Sequence, residues 1–158
     1  MNEEYQHTQV GIVTILVILL SAAFTAFVLV SALQSAQGQT ATLLGITGFV
    51  VTGVFILVLV VFNSFTIRIA PGTVSFWFGW GVARQSLPIE AIRSVEIVRN
   101  PWYYFWGIKS IPGGWLYSIA PGGRSIELVL KDHRKIRLGT NRAEEIELRL
   151  RQAMERSI

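Results

Sequence analysis

The chain of 158 residues contains no cysteine, which excludes disulfides, thiolate metal centres and cysteine nucleophiles and leaves redox compartment unmarked. It has no Lys or Arg before Asn63, so all 14 basic residues follow Phe62. Histidine is limited to His7 and His133, and Asp132 is the only aspartate. Hydrolysis or group transfer needs convergent titratable groups and a metal needs clustered ligands, so the supply is too thin for either. Neighbours in a hairpin tip point apart, so Asp132 and His133 read as solvated turn residues rather than a dyad. Phosphate-loop readings fail on spacing: Gly79-Trp80-Gly81 lacks the third glycine and leads into a strand, and Gly107-Ile108-Lys109-Ser110 lacks the glycine before lysine. The chain is therefore expected to be non-enzymatic, with no catalytic residue, cofactor or metal. An enzyme reading would need Glu90, Glu96 or Glu127 beside an Arg in a buried pocket, as a subunit acting on a lipid headgroup.

Charge is missing for long stretches as well. Val10 to Leu33 and Ala41 to Phe62 contain no Asp, Glu, Lys, Arg or His, and at about 24 and about 22 residues each is long enough to cross a bilayer core as a helix. The expected organisation is an N-terminal segment over 1–9, transmembrane helices over 10–33 and 41–62, a short external loop over 34–40, and a compact domain over 65–158. A signal peptide would need a basic leader and a shorter apolar core, whereas Glu3 and Glu4 precede this run. Ala22, Ala26, Ser31 and Ser35 in the first run, and Gly45, Gly48 and Thr52 in the second, would let helices approach closely within a hairpin or between copies.

Beyond Phe62 fourteen cations face eight acids. The loop 34–40 has no cation while Arg68 follows the second run closely, so positive-inside bias places both termini in the cytoplasm of a multi-pass protein of the cell (inner) membrane. Only Asn63 and Ser64 separate the second run from strand-like alternation, which leaves no tether and holds the domain against the headgroups.

From Phe65 the hydrophobic period falls from helical to two. Strands are expected over 65–69, 74–78, 82–87, 94–99, 115–119, 125–130 and 135–138. Turns fall at Pro71-Gly72, Gly79-Trp80-Gly81, Pro112-Gly113-Gly114 and Pro121-Gly122-Gly123, with an irregular aromatic stretch over 100–114. A final amphipathic helix should begin with Asn141 and Glu144 as a capping box and bury Ala143, Ile146, Leu150, Ala153 and Met154. The fold class is α+β with a membrane part: a two-helix hairpin, then a seven-stranded antiparallel barrel or sandwich closed by a C-terminal helix.

Trp106-Gly107-Ile108-Lys109, Gly114-Trp115-Leu116-Tyr117, Ile126-Glu127-Leu128-Val129-Leu130 and Ile136-Arg137-Leu138-Gly139-Thr140, in that order before a helix, resemble the bacterial pleckstrin-homology-like (PH-like) membrane proteins in which two spans precede one such domain. The resemblance implies the fold far more than a function, because most members of that family are uncharacterised.

Two surfaces are candidates for binding. Trp102, Tyr103 and Trp106, with Lys109, suit a place where one end of a side chain is apolar and the other wet, against lipid or a partner. Lys131, Arg134, Lys135 and Arg137 form a basic tip suited to anionic lipid. A nucleic-acid role would use the same charges, but no base-reading motif accompanies them. The expected function is a membrane-proximal scaffold or binding module for protein or anionic lipid. The alternative is a structural hairpin that forms homo-oligomers through its spans.

Overall fold

The computed structural model describes residues 4–104, 106–119 and 123–156. The chain is α+β: two long apolar helices, two sheets and a C-terminal helix. Strand β1 is Tyr5–Val10, followed by helices α1 (Ile12–Ser35) and α2 (Gln39–Phe62). Strands β2 (Ser64–Ala70), β3 (Thr73–Phe78) and β4 (Val82–Pro88) lead through a 3-10 turn at Ile89–Ala91 to β5 (Ile92–Asn100). Then come β6 (Gly107–Ile111), β7 (Gly114–Ser118), β8 (Gly123–Leu130), β9 (Lys135–Gly139) and helix α3 (Ala143–Glu155).

Both long helices are long and apolar enough to cross a membrane. Unlike core helices they are hardly covered: α1 buries only Thr14 and Ile18, and α2 buries nothing. Their helical conformation runs past the apolar stretches into Gln34, Ser35, Gln39 and Thr40, so the connection shrinks to three residues. Gly48 lies where an added Cβ would come within 3.3 Å of the Leu29 side chain, so one of the small residues serves contact between α1 and α2.

The strand count corrects the expectation. Among the described residues nine strands form a four-stranded sheet, β1-β2-β3-β4, and a five-stranded sheet, β5-β8-β9-β7-β6. All seven expected strands are present, and β1 and β6 are additional. The sheets are not wholly antiparallel either, because β7 and β9 pair in parallel. That pairing brings Gly114 so close to Lys135 that an added Cβ would lie 1.7 Å from its carbonyl oxygen.

Alternation decides which faces meet. Phe65, Ile67 and Ile69 of β2 and Val74, Phe76 and Phe78 of β3 point into one core with Val95, Tyr117, Ile126, Leu128, Leu130 and Leu138 of the second sheet. Helix α3 covers the core with Ala143, Ile146 and Leu150, and Ala153 and Met154 pack at its edge, as its 3.6 period requires. Its start differs from the expected capping box. The cap residue is Arg142 and makes no side-chain cap bond. Asn141 instead accepts a hydrogen bond from His7 Nε2 through Oδ1 (2.8 Å), its amide N–H donates to Gln9 Oε1 (3.0 Å), and Glu144 pairs with Arg124. Attachment to β1 has displaced the local cap.

Candidate functional site

The helices enter the sheets through two single-residue joints. Gly11 separates β1 from α1, Asn63 separates α2 from β2, and the Gly11 N–H donates to the Asn63 carbonyl (2.9 Å). Strands β1 and β2 then pair antiparallel from Val10 opposite Ser64 to Tyr5 opposite Ile69. The start of α1 and the end of α2 are thereby held side by side, with β1 belonging to the same sheet as β2.

Three further contacts seat the helices on the second sheet and the β3–β4 turn. The buried Thr14 hydroxyl donates to the Ile119 carbonyl (2.7 Å). The Gly79 N–H donates to the Ser64 carbonyl (2.9 Å), and Gly79, at φ +48°, lies where a Cβ would sit 2.6 Å from the Val60 carbonyl oxygen. Phe62, the last residue of α2, packs edge-on against Phe78 with ring centroids 5.3 Å apart, and Phe78 continues to Phe65 at 4.8 Å. Phe76 then meets Tyr117 across the sheets at 4.8 Å. The Phe62–Phe78 and Phe76–Tyr117 contacts are edge-to-face, an arrangement that contributes about 0.5–1.5 kcal/mol each beyond burial, and Phe65–Phe78 is tilted. Burial raises the Tyr117 phenol above its ordinary pKa.

These joints and the strand register define two ends of the domain. The helix end carries Val10, Ser64, Phe78, Val82, Asn100, Gly107, Ser118 and Gly123. The far end carries the turns at Pro71-Gly72, Pro112-Gly113 and Lys131–Arg134.

The two candidate surfaces fall on opposite ends. Residues 101–106 join Asn100 to Gly107, so Trp102 and Tyr103 stand at the helix end, 78% and 55% exposed, with their rings edge-on at 6.1 Å. Trp106 is half-buried beside them, and Lys109 lies one turn of alternation into β6, also half-buried. Trp80, which sequence reasoning missed, tops the turn against α2 and is 88% exposed. The signal that could have found it is the Gly-Trp-Gly turn next in register to the end of a span.

The basic residues are divided. Lys131 is exposed at the far tip, and Arg134 is held there by Asp132, whose carboxylate accepts from Arg134 Nε (2.7 Å) and from its backbone N–H (3.1 Å). Those bonds keep the Asp132 carboxyl below its ordinary pKa. Lys135 and Arg137 converge on Glu127, with Nζ at 3.0 Å and Nε at 2.5 Å from its oxygens. Arg137 also donates to Asn100 Oδ1 (3.3 Å), whose amide donates to Ser125 Oγ (2.5 Å). Burial alone would push the Glu127 carboxyl up, but the hydrogen bonds from Arg137 and Lys135 outweigh it and the net shift is downward. Glu90 and Glu96 are exposed, Glu96 directly opposite Glu127 in the ladder.

Comparison with known proteins returns no match, either to a protein-family model or to a curated protein.

Proposed function

We propose that the chain is a membrane-anchored binding module whose PH-like domain is pressed onto the cytoplasmic leaflet by its helix end. The observation that carries this reading is the pair of single-residue joints, Gly11 and Asn63, clamped by the β1–β2 ladder. With α1 and α2 crossing the bilayer, such joints leave no length for the domain to move away, so Trp80, Trp102 and Tyr103 meet the interfacial layer that tryptophan and tyrosine favour. The cation excess beyond Phe62 supports the cytoplasmic side. Two facing sheets closed by a C-terminal helix support the PH-like reading, while the four- and five-stranded sheets and the parallel β7–β9 pair depart from a seven-stranded antiparallel barrel. Anionic lipid is the favoured partner, and catalysis has no part in the proposal.

The test uses the full chain in lipid nanodiscs with brominated acyl chains. Variants keep one tryptophan each, Trp80, Trp102 or Trp115, the other positions being replaced by Phe. Bromine should quench Trp80 and Trp102 strongly and Trp115 weakly, since Trp115 is exposed near the far end of β7. Equal quenching of all three would remove the docked geometry. A reporter fused after Ile158 that faces the outside of the cell would reverse the orientation.

A second reading is favoured by one observation. A groove of ≈ 130 Å³ between α1 and α2 is lined by Ala22, Ala26 and Thr52 among larger apolar residues, which suits helix association between copies. Cross-linking of the full chain in membranes, with Ala26→Leu as the variant that should abolish it, decides this alternative.

A further inference from the structure

We infer that Arg99 and Arg124 form a subsite for the phosphate of an anionic phospholipid, at the helix end of the second sheet. This rests on the leaflet-docked reading and names the chemistry that the domain would hold there.

The two arginines are directly opposite each other in the β5–β8 ladder, one pair in from Asn100 and Gly123, where the sheet reaches the helix end. Directly opposed residues share a face with their Cβ atoms about 5 Å apart, and like charges so placed destabilise a sheet. Among the described residues the acid that answers them is Glu144, which pairs with Arg124. Arg99 is exposed and makes no ion pair among the described residues. Ile97, Val98, Arg99 and Arg124 line an open recess of ≈ 260 Å³ between them. Such a recess has two guanidinium forks and apolar walls from Ile97 and Val98. An anion bound there relieves the repulsion, and guanidinium groups match phosphate oxygens bidentately. A lipid source is favoured over a free phosphate because the strand register places Arg99 and Arg124 at the end where the helices leave the domain. The far tip, although richer in cations, has Arg134 committed to Asp132, and Lys135 committed to Glu127.

The experiment places the full chain in nanodiscs of phosphatidylcholine with phosphatidylglycerol added, and reads the retained lipids by native mass spectrometry. Preference for phosphatidylglycerol should fall about fivefold in Arg99→Gln, since one cation near an anionic surface contributes about 1 kcal/mol. It should fall further in the Arg99→Gln, Arg124→Gln double variant and stay at the wild-type value in Lys131→Gln, Arg134→Gln. Because Arg124→Gln also removes the Glu144 pair, Arg99→Gln decides the matter if the double variant does not fold. Undiminished preference in Arg99→Gln overturns the subsite, as does an equal fall in the tip variant. Glycerol 3-phosphate added to pure phosphatidylcholine discs should not raise the melting temperature, and a rise abolished by Arg99→Gln would overturn the lipid source. Strong bromine quenching of Trp102 alongside unchanged lipid preference would overturn this subsite alone and leave the docked geometry standing.

Discussion

The helix end and the far end of the domain are built from the same strands but are held by different chemistry. At the helix end backbone carbonyls are the fastening points: the Gly11 N–H bonds Asn63, the Gly79 N–H bonds Ser64, and the Thr14 hydroxyl bonds Ile119. At the far end side-chain charge is satisfied locally, with Arg134 on Asp132 in one turn. An exposed ion pair of that kind contributes about 0–1 kcal/mol, whereas breaking a buried backbone hydrogen bond strands an unsatisfied group at a cost of about 1–3 kcal/mol. The helix end should therefore be the less forgiving of substitution, and its exposed rings are the part free to meet something else.

The largest effect is expected at the link between the two ends, the Glu127 network. Replacing Glu127 by Ala leaves Arg137 and Lys135 facing each other over a buried site. Loss of one partner of a buried pair costs about 3 kcal/mol, toward the lower end of the usual range because Lys135 is half-exposed. Chemical denaturation of the full chain in a fixed detergent would measure it. The same residue gives a pH dependence. Its folded carboxyl titrates below its ordinary value of 4.5, so its contribution is complete above that pH and is lost as pH falls through the lower folded value. Glu127→Gln should flatten the acid limb of the stability curve, and an unchanged limb would show that other carboxylates govern it.

Two glycines sharpen the comparison next. Gly79 at the helix end and Gly72 at the far end both have positive φ, +48° and +76°. An alanine at either costs about 1 kcal/mol for the left-handed conformation. Only at Gly79 does the new Cβ also strike backbone, the Val60 carbonyl at 2.6 Å, whereas nothing lies within 4 Å at Gly72. Gly79→Ala should destabilise by about 2 kcal/mol or more, and Gly72→Ala by about 1. Equal melting temperatures for the two variants would mean that the β3–β4 turn is not pinned to α2.

How much of this was legible from sequence follows from which forces are local. Strands β2, β3, β5, β8 and β9 and the buried stripe of α3 carry their own alternation or 3.6 period and were readable. Strand β7 is a short apolar run, and β4, exposed along nearly its whole length, was marked only by the turn residues that bound it. Strand β1 was not readable, because its inward positions Tyr5, His7 and Gln9 are polar-tipped and its strand character comes from β2, more than fifty residues away. Strand β6 is a short edge strand with exposed Ile108 and Ser110, so no apolar face announced it within the aromatic stretch. The capping box failed for a related reason: Asn141 found partners on β1, which propensity at the helix start cannot foresee. Charge alone also hid the division of the basic residues, since nothing local tells that Arg137 and Lys135 grasp a buried Glu127. Asn141→Ala tests the β1 attachment directly. It should cost about 1 kcal/mol and speed proteolysis of the first ten residues, with the main melting transition little changed.

The smallest effects separate the ends most cleanly, because they concern surfaces that the fold itself does not need. Trp80 is almost wholly exposed, so Trp80→Ala should shift stability in detergent by less than about 0.5 kcal/mol. In nanodiscs the same variant should lose an interfacial anchor, and its melting temperature should drop relative to wild type. Lys131→Gln, at the far end, should shift neither, since its charge is solvated and distant from the helices. The difference between the two media is decisive: an exposed tryptophan whose removal matters equally in both would be filling a place in the protein, whereas one that matters only in lipid owes its contribution to the bilayer that the helices bring against it.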